Sequence, residues 1–244
     1  EREGFSFREA KVDYEPFLLR IRDRRAGALR GEIQDQCESF VRRAPPLPPE
    51  EAGNLLQQVL TRLEEAMLGH MLFSDLSPQG CVNASEAMER YVVKRCRAVL
   101  MVRTSEQRRR DEALSERLKR LATFLEPLHL DVTPSRIHPE AWGKAEASLL
   151  DFSRALTPKE KMDALLDVAR HVHAAPTLNS DHSPISADEF LPILILLVVR
   201  TRPPELQANI DFVANFRGAM RMRGEGAYFF THLAGAACFL ETLD

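Results

Sequence analysis

The sequence predicts an all-α protein, and three observations carry that prediction. Apolar residues recur at three- and four-residue spacing along most of the chain, with almost no apolar-polar alternation of the kind a half-buried strand shows. Cap pairs precede the periodic runs, as at Asn83 with Glu86, Thr157 with Glu160 and Ser186 with Glu189. Prolines cluster between runs, where they stop one helix and open the next.

A length of 244 residues permits one large or two small domains, and 44% hydrophobic with 28% charged residues is an ordinary globular composition. The net charge of −3 gives no general footprint for nucleic acid or an acidic membrane. No signal peptide, transit peptide or membrane-spanning run is evident, and the chain opens on Glu1 rather than Met, which reads as a cytosolic piece of a longer protein. Cys37, Cys81, Cys96 and Cys238 are scattered without short paired spacing, so they read as buried or incidental thiols rather than a disulfide framework or a zinc site.

Taken in order, Leu18, Ile21, Ala28 and Leu29 begin an N-terminal helical hairpin that Ile33, Cys37, Phe40 and Val41 continue. A long helix over Glu50 to Phe73 turns Leu55, Leu56, Val59, Leu60, Leu63, Met67 and Leu68 inward. Another is expected to start after Asn83, carrying Met88, Tyr91, Val92, Arg95, Val99 and Val102. Between the first two stands Arg42-Arg43-Ala44-Pro45-Pro46-Leu47-Pro48-Pro49, which has the spacing of a polyproline ligand and equally suits a stiff interhelical loop. Arg108 to Arg110 lie among Glu106, Asp111, Glu112 and Glu116 and read as a solvated helix face.

Pro127, Pro134 and Pro139 break the segment from Glu126 to Pro139, so a helical bundle over residues 5–130 is expected to give way to a second domain over 131–244. Trp142 and Phe152 anchor the next helix, and Thr157-Pro158 opens another with Met162, Leu165, Leu166, Ala169 and Val172 inward. His171 and His173 are about 200° apart on a helix and cannot share an ion, so no metal site is expected and the histidines read as surface and helix-end residues. No carboxylate or thiol pattern completes a hydrolase site.

The stretch from Ser186 to Asp244 organises the rest. Phe190 to Val199 is apolar apart from Pro192, too short for a membrane span and suited to a core helix. The Ser186 and Glu189 cap pair puts Asp188 in the first turn, near the positive end of the helix. Pro192 cannot donate to the carbonyl of Asp188, so that turn is loosened. A helical wheel aligns Asp188, Pro192, Ile195, Leu196 and Val199, an acidic tip running into an apolar stripe. On residue type alone, Asp188 reads as a dipole-stabilising residue on a core helix. Pro203-Pro204 opens a helix over Glu205 to Phe216, and Gly218, Gly224 and Gly226 mark a loop before a last helix from about Ala227 to Leu243. There Phe230, Leu233, Ala237 and Leu240 form the buried face, with Tyr228, Thr231 and Gly235 on another.

Four blocks in order resemble the vacuolar-protein-sorting-nine (VPS9) domain, the exchange-factor module of early-endosomal Rab GTPases. They are Ala187-Asp188-Glu189-Phe190-Leu191-Pro192, Pro203-Pro204-Glu205-Leu206-Gln207-Ala208-Asn209-Ile210, Gly224-Glu225-Gly226-Ala227-Tyr228-Phe229-Phe230-Thr231 and Cys238-Phe239-Leu240-Glu241. The likeness is strong only after about Glu146, and residues Phe17 to Leu125 are similar in pattern to the bundle that precedes the domain in Rabex and yeast-type members. It departs at Thr201-Arg202, where many members have a small residue and Asn, and at His171-Val172-His173-Ala174-Ala175, which lacks an Asn-rich sequence.

The resemblance implies an all-α exchange domain packed on a helical bundle, acting without cofactor or covalent chemistry. Its implied partners are Rab5-subfamily small GTPases (Rab5, Rab21 or Rab22) in GDP-bound and nucleotide-free forms, met in the cytoplasm and at early endosomes. Asp188 becomes the acidic finger that displaces nucleotide. Pro192, Tyr228 and Thr231 contact the GTPase switch regions or position the finger, Asn209 supports them, and the stripe from Ile195 to Val199 supplies an apolar groove. A silent scaffold that binds GTPases and a helical adaptor built on the proline loop are the other readings.

Overall fold

Two apolar clusters divide the chain, and one short helix belongs to both. The computed structural model describes residues 12–179 and 183–243. Among the described residues there are ten α-helices and no strand, as the three- and four-residue periodicity predicts. The helices are α1 (Glu15–Arg22), α2 (Gly27–Arg43), α3 (Pro49–Leu68), α4 (Pro78–Leu100) and α5 (Ser105–Leu121), then α6 (Pro139–Arg154), α7 (Pro158–Leu178), α8 (Ala187–Thr201), α9 (Leu206–Phe216) and α10 (Gly224–Thr242).

The first cluster joins α1 to α4 through Phe17, Ile33, Phe40, Leu56, Leu60, Met67, Met88 and Val92. The second surrounds α8, whose residues Ile193 to Val199 are all buried among α5, α6 and α10. Helix α9 faces both ways: Phe212 and Phe216 enter the first cluster, while Leu206, Ile210 and Val213 enter the second. Helix α5, which the sequence reading placed within the 5–130 bundle, gives Leu114, Leu118 and Leu121 to the second cluster, followed by Leu125 and Val132.

A tertiary cap explains why α5 sits there. Glu205 precedes α9 in a left-handed conformation and makes no side-chain cap bond. Asp111 of α5 supplies the missing acceptor, taking the Gln207 amide at 2.9 Å and the Ala208 amide at 3.2 Å. Asp111 is therefore buried, not one of the solvated charges that the sequence suggested around Arg108 to Arg110. Arg110 stays exposed, as expected of a solvated face, and forms a two-pronged ion pair with Glu241 of α10, at 2.6 and 2.7 Å.

Helix α3 meets α9 so closely that a Cβ on Gly53 would stand 2.1 Å from the Asn215 carbonyl oxygen. A second tie runs from Arg90 and Lys94 of α4 to Glu160 at the start of α7, at 2.8 and 3.0 Å. Glu160 also closes the capping box with Thr157 that the sequence predicts.

Helix α4 begins at Pro78 rather than after Asn83. The Ser77 hydroxyl accepts the Gly80 amide at 3.1 Å and Pro78 suits the first turn, so capping is complete before Asn83, which instead accepts from the Gln79 side chain. In the proline loop the Leu47 amide donates to the Ala44 carbonyl, Ala44 is buried and Leu47 packs on the bundle. That compact turn supports the stiff-loop reading over an extended, displayed ligand.

Candidate functional site

Helix α8 is buried from Ile193 to Val199, and Asp188 emerges on its N-terminal turn. Asp188 is exposed and Pro192 half-buried on the same side one turn later. The capping box is complete: Glu189 accepts the Ser186 amide at 2.8 Å, and the Ser186 hydroxyl accepts the Glu189 amide at 3.3 Å.

Arg136, from the irregular segment before α6, holds this turn from outside. It reaches the Glu189 carboxylate at 2.8 and 2.9 Å and donates to the Ser183 carbonyl at 2.9 Å. Burial opposes ionisation of Glu189, but the Ser186 and Arg136 donors outweigh it and hold the carboxyl below its usual range. With its neighbour so engaged, the first turn offers the Asp188 carboxylate outward. A cleft of ≈ 260 Å³ lies beside it, lined by Asp131, Thr133, Arg136, Asp188 and Pro192 among others.

Helix α10 brings Tyr228 and Thr231 to the neighbouring surface. Thr231 is exposed and Tyr228 half-buried, while Phe229, Phe230, Leu233, Ala237 and Leu240 are buried as their spacing predicts. Burial raises the Tyr228 phenol, and the charge of Asp188 adds to that shift, so the two groups are within electrostatic reach. Asp188 and Tyr228 thus face each other across the packed helices α8 and α10, with Pro192 one turn on from Asp188 and Thr231 about one turn on from Tyr228.

Behind that surface lies an aromatic cluster. The His173 ring stacks on Phe190 with centroids 5.6 Å apart and meets Phe229 edge-on at 6.1 Å. The His232 ring sits 4.3 Å from that of Tyr228, with its Nδ1 2.9 Å from the Tyr228 carbonyl oxygen. These contacts correct the reading of the histidines as surface and helix-end residues for His173 and His232. Burial drives the His173 imidazole down to about 4, so it is neutral near pH 7 and packs as an aromatic ring.

Two expected site residues stand apart from this surface. Ile195 is 5% exposed within the second core, and the whole stripe to Val199 is covered with it. It is a core seam, because α5, α6 and α10 close over α8 and leave no groove. Asn209 is 2% exposed. Its carboxamide accepts from the buried Lys161 ammonium at 2.6 Å and donates to the Glu205 carbonyl at 2.8 Å. Lys161 also donates to the Phe152 carbonyl at 2.7 Å, and burial lowers its pKa to about 8. Among the described residues no group of three or more His, Cys, Asp or Glu could hold a metal ion.

Arg136, Glu189, His173 and His232 carry no functional signal in the sequence beyond the cap position of Glu189. Arg136 is separated from its partner by a long stretch of chain, and the histidines are revealed only by packing. Arg202 does explain the departure at Thr201-Arg202: it ends α8 at φ 49°, a left-handed conformation that Asn adopts with less strain than Arg.

The architecture defines a helical bundle joined to a helical domain that presents one carboxylate beside a Tyr and a Thr. Residues 142–244 match the family model described as the vacuolar sorting protein 9 (VPS9) domain, and residues 35–96 match a domain of unknown function, DUF5601. The chain belongs to the VPS9-domain family.

It is similar to vacuolar protein sorting-associated protein 9A of Arabidopsis thaliana, 28% identical over 232 residues that cover 93% of this chain and 44% of the relative. The protein of that name in Oryza sativa is 27% identical over 245 residues, covering 99% of this chain and 51% of the relative. The Rab5 GDP/GTP exchange factor of Homo sapiens is 30% identical over 172 residues, covering 68% of this chain and 35% of the relative. The chain thus spans about half or less of the length of these relatives. No helix among the described residues is long and apolar enough to cross a membrane.

Proposed function

We propose that this chain is a guanine-nucleotide exchange factor for small GTPases of the Rab5 subfamily, with Asp188 as its acidic finger. The observation that carries the reading is Asp188 itself, a solvent-facing carboxylate on the N-terminal turn of a helix whose middle is buried, within electrostatic reach of Tyr228. Relatives named for Rab5 GDP/GTP exchange support the same class of partner.

In such a partner a phosphate-binding loop with a lysine and a Mg²⁺ ion holds the bound GDP. A carboxylate brought to that site repels phosphate, competes for the lysine and disfavours the metal, so the nucleotide leaves faster. Pro192, Tyr228 and Thr231 contact the partner around the finger, and Glu189 with Arg136 keeps the finger's turn in place. No bond is made or broken in the partner. The factor stabilises the nucleotide-free state, and the excess of GTP sets the direction. Rab5, Rab21 and Rab22 are the GTPases to try first, and the site of action is the cytoplasmic face of early endosomes.

The test is release of fluorescent GDP from a panel of purified Rab GTPases by the chain and by Asp188→Ala. A desolvated charge pair lost at an interface is worth ~3 kcal/mol, so the variant should lose about 10²-fold in acceleration while still binding the nucleotide-free GTPase. Binding without acceleration by the unaltered chain would establish the silent scaffold instead.

A further inference from the structure

Three carboxylates and two guanidiniums are packed where the bundle meets the segment leading into α10. Glu64 comes from α3, Glu86 and Glu89 from α4, Arg217 from the end of α9 and Arg221 from the turn after it. Arg217 reaches Glu86 and Glu89 at 2.7 Å each, and Arg221 reaches Glu89 at 3.1 Å and also pairs with Glu64. Glu89 and Arg217 are buried, and the other three side chains are at most 19% exposed. Buried ion pairs add little net stability over an apolar seam, but the planar guanidinium fork fixes geometry.

What Arg221 fixes is a short segment with a glycine hinge at each end. Gly218 and Gly224 have φ of 75° and 65°, conformations open to glycine and strained for other residues. Gln57 of α3 closes on the first hinge, donating to the Phe216 carbonyl at 3.0 Å. Between the hinges Met220 is 75% exposed, and the Arg223 guanidinium lies 3.2 Å from its sulfur. Tyr228 follows Gly224 by about one helical turn, roughly 6 Å along the axis. Arg221 is thus a pin from the bundle into the edge of the surface that carries Tyr228 and Thr231.

We propose that Arg221 is a positioning residue for nucleotide exchange: through Glu64 and Glu89, the bundle sets the Gly218–Arg223 segment so that Met220 meets an apolar side chain on the partner GTPase. This rests on the exchange reading above. The bundle then acts on partner affinity rather than on the finger, because Asp188 and its supports lie on other elements. The exposed thioether suits the role, since an unbranched, polarizable side chain adapts to apolar surfaces of different shape.

The first arm of the test uses the chain alone. Amide hydrogen exchange in Arg221→Met and Glu64→Gln should rise within residues 218–224 while α7 and α8 stay protected, with Arg221→Lys intermediate between Arg221→Met and the unaltered chain. The second arm titrates the chain against a GDP-loaded Rab5-subfamily GTPase. Arg221→Met and Met220→Ser should raise the half-saturating concentration about 10-fold, with the maximal release rate kept within about twofold. Arg221→Lys, which keeps the charge without the fork, should recover only part of that loss.

Unchanged protection of 218–224 would overturn the proposal, as would a lowered maximal rate at unchanged half-saturation or a Met220→Ser variant indistinguishable from the parent. If the unaltered chain releases nucleotide from no GTPase, the exchange reading falls by itself. The amide-exchange arm then decides whether the bundle sets the segment.

Discussion

Replacing Asn209 by Leu tests whether this residue supports the fold or meets the partner. The change removes one of the acceptors of the Lys161 ammonium, at 2.6 Å, and the donor to the Glu205 carbonyl at 2.8 Å, in a place with almost no water access. A charge-assisted hydrogen bond lost in the interior costs ~1.5–3 kcal/mol and a neutral one ~1 kcal/mol, so the expected loss is ~2.5–4 kcal/mol. That is a large part of the ~5–15 kcal/mol that holds a domain folded.

The pH dependence of this loss is diagnostic. Lys161 has its folded pKa lowered to about 8, below the unfolded value, so the penalty for its charge is present near pH 7 and relieved as pH rises above 8. Near pH 9.5 the amine is largely neutral, and Asn209→Leu should cost only ~1–2 kcal/mol. Combining it with Lys161→Met should cost less than the sum of the single changes by ~1.5 kcal/mol or more. Urea unfolding at both pH values measures all of these. A loss under ~1 kcal/mol at pH 7, or the same loss at both pH values, would refute the support role.

Two further outcomes concern the joint between the bundle and the VPS9 domain. Gly53→Ala drives a methyl group into the Asn215 carbonyl and should destabilise the chain by ~2–3 kcal/mol in urea unfolding, because the obstructing atom is backbone. Burial raises Glu89 to about 7 against the pull of Arg217 and Arg221, so its folded pKa lies above its unfolded value. Its contribution is therefore fully present below about pH 4.5 and lost as pH rises through 7, and Glu89→Gln should flatten unfolding free energy between about pH 4.5 and 7 relative to the parent.

Local signals and tertiary ones were not equally legible. The helices of the VPS9 domain could be read because their cap pairs and apolar spacing act within one turn: Ser186 with Glu189 and Thr157 with Glu160 cap as expected. Asp188, Tyr228 and Thr231 were legible as candidates through motif order, and their exposure agrees with that reading. Ile195 misled because a helical wheel reports which residues share a side but not what covers it. Asp111 misled because its partners, two backbone amides of α9, leave no mark on side-chain pattern. Asn209 stands in a matching block, yet an Asn at a partner surface and an Asn clamping a buried ammonium look alike until burial is known.

Helix α9 carries a consequence for how this protein divides. Its two faces are committed to different cores, with Phe212 and Phe216 on one side and Leu206, Ile210 and Val213 on the other. Excising the chain at residue 142, where the family likeness begins, would strip both phenylalanines of their cover and remove the Asp111 cap. Each phenylalanine newly open to water forfeits ~2–3 kcal/mol of burial. The evolutionary module and the cooperative folding unit therefore have different borders. Recombination that transplants the VPS9 domain into a new protein must carry a replacement for the bundle, or evolve a polar face on α9.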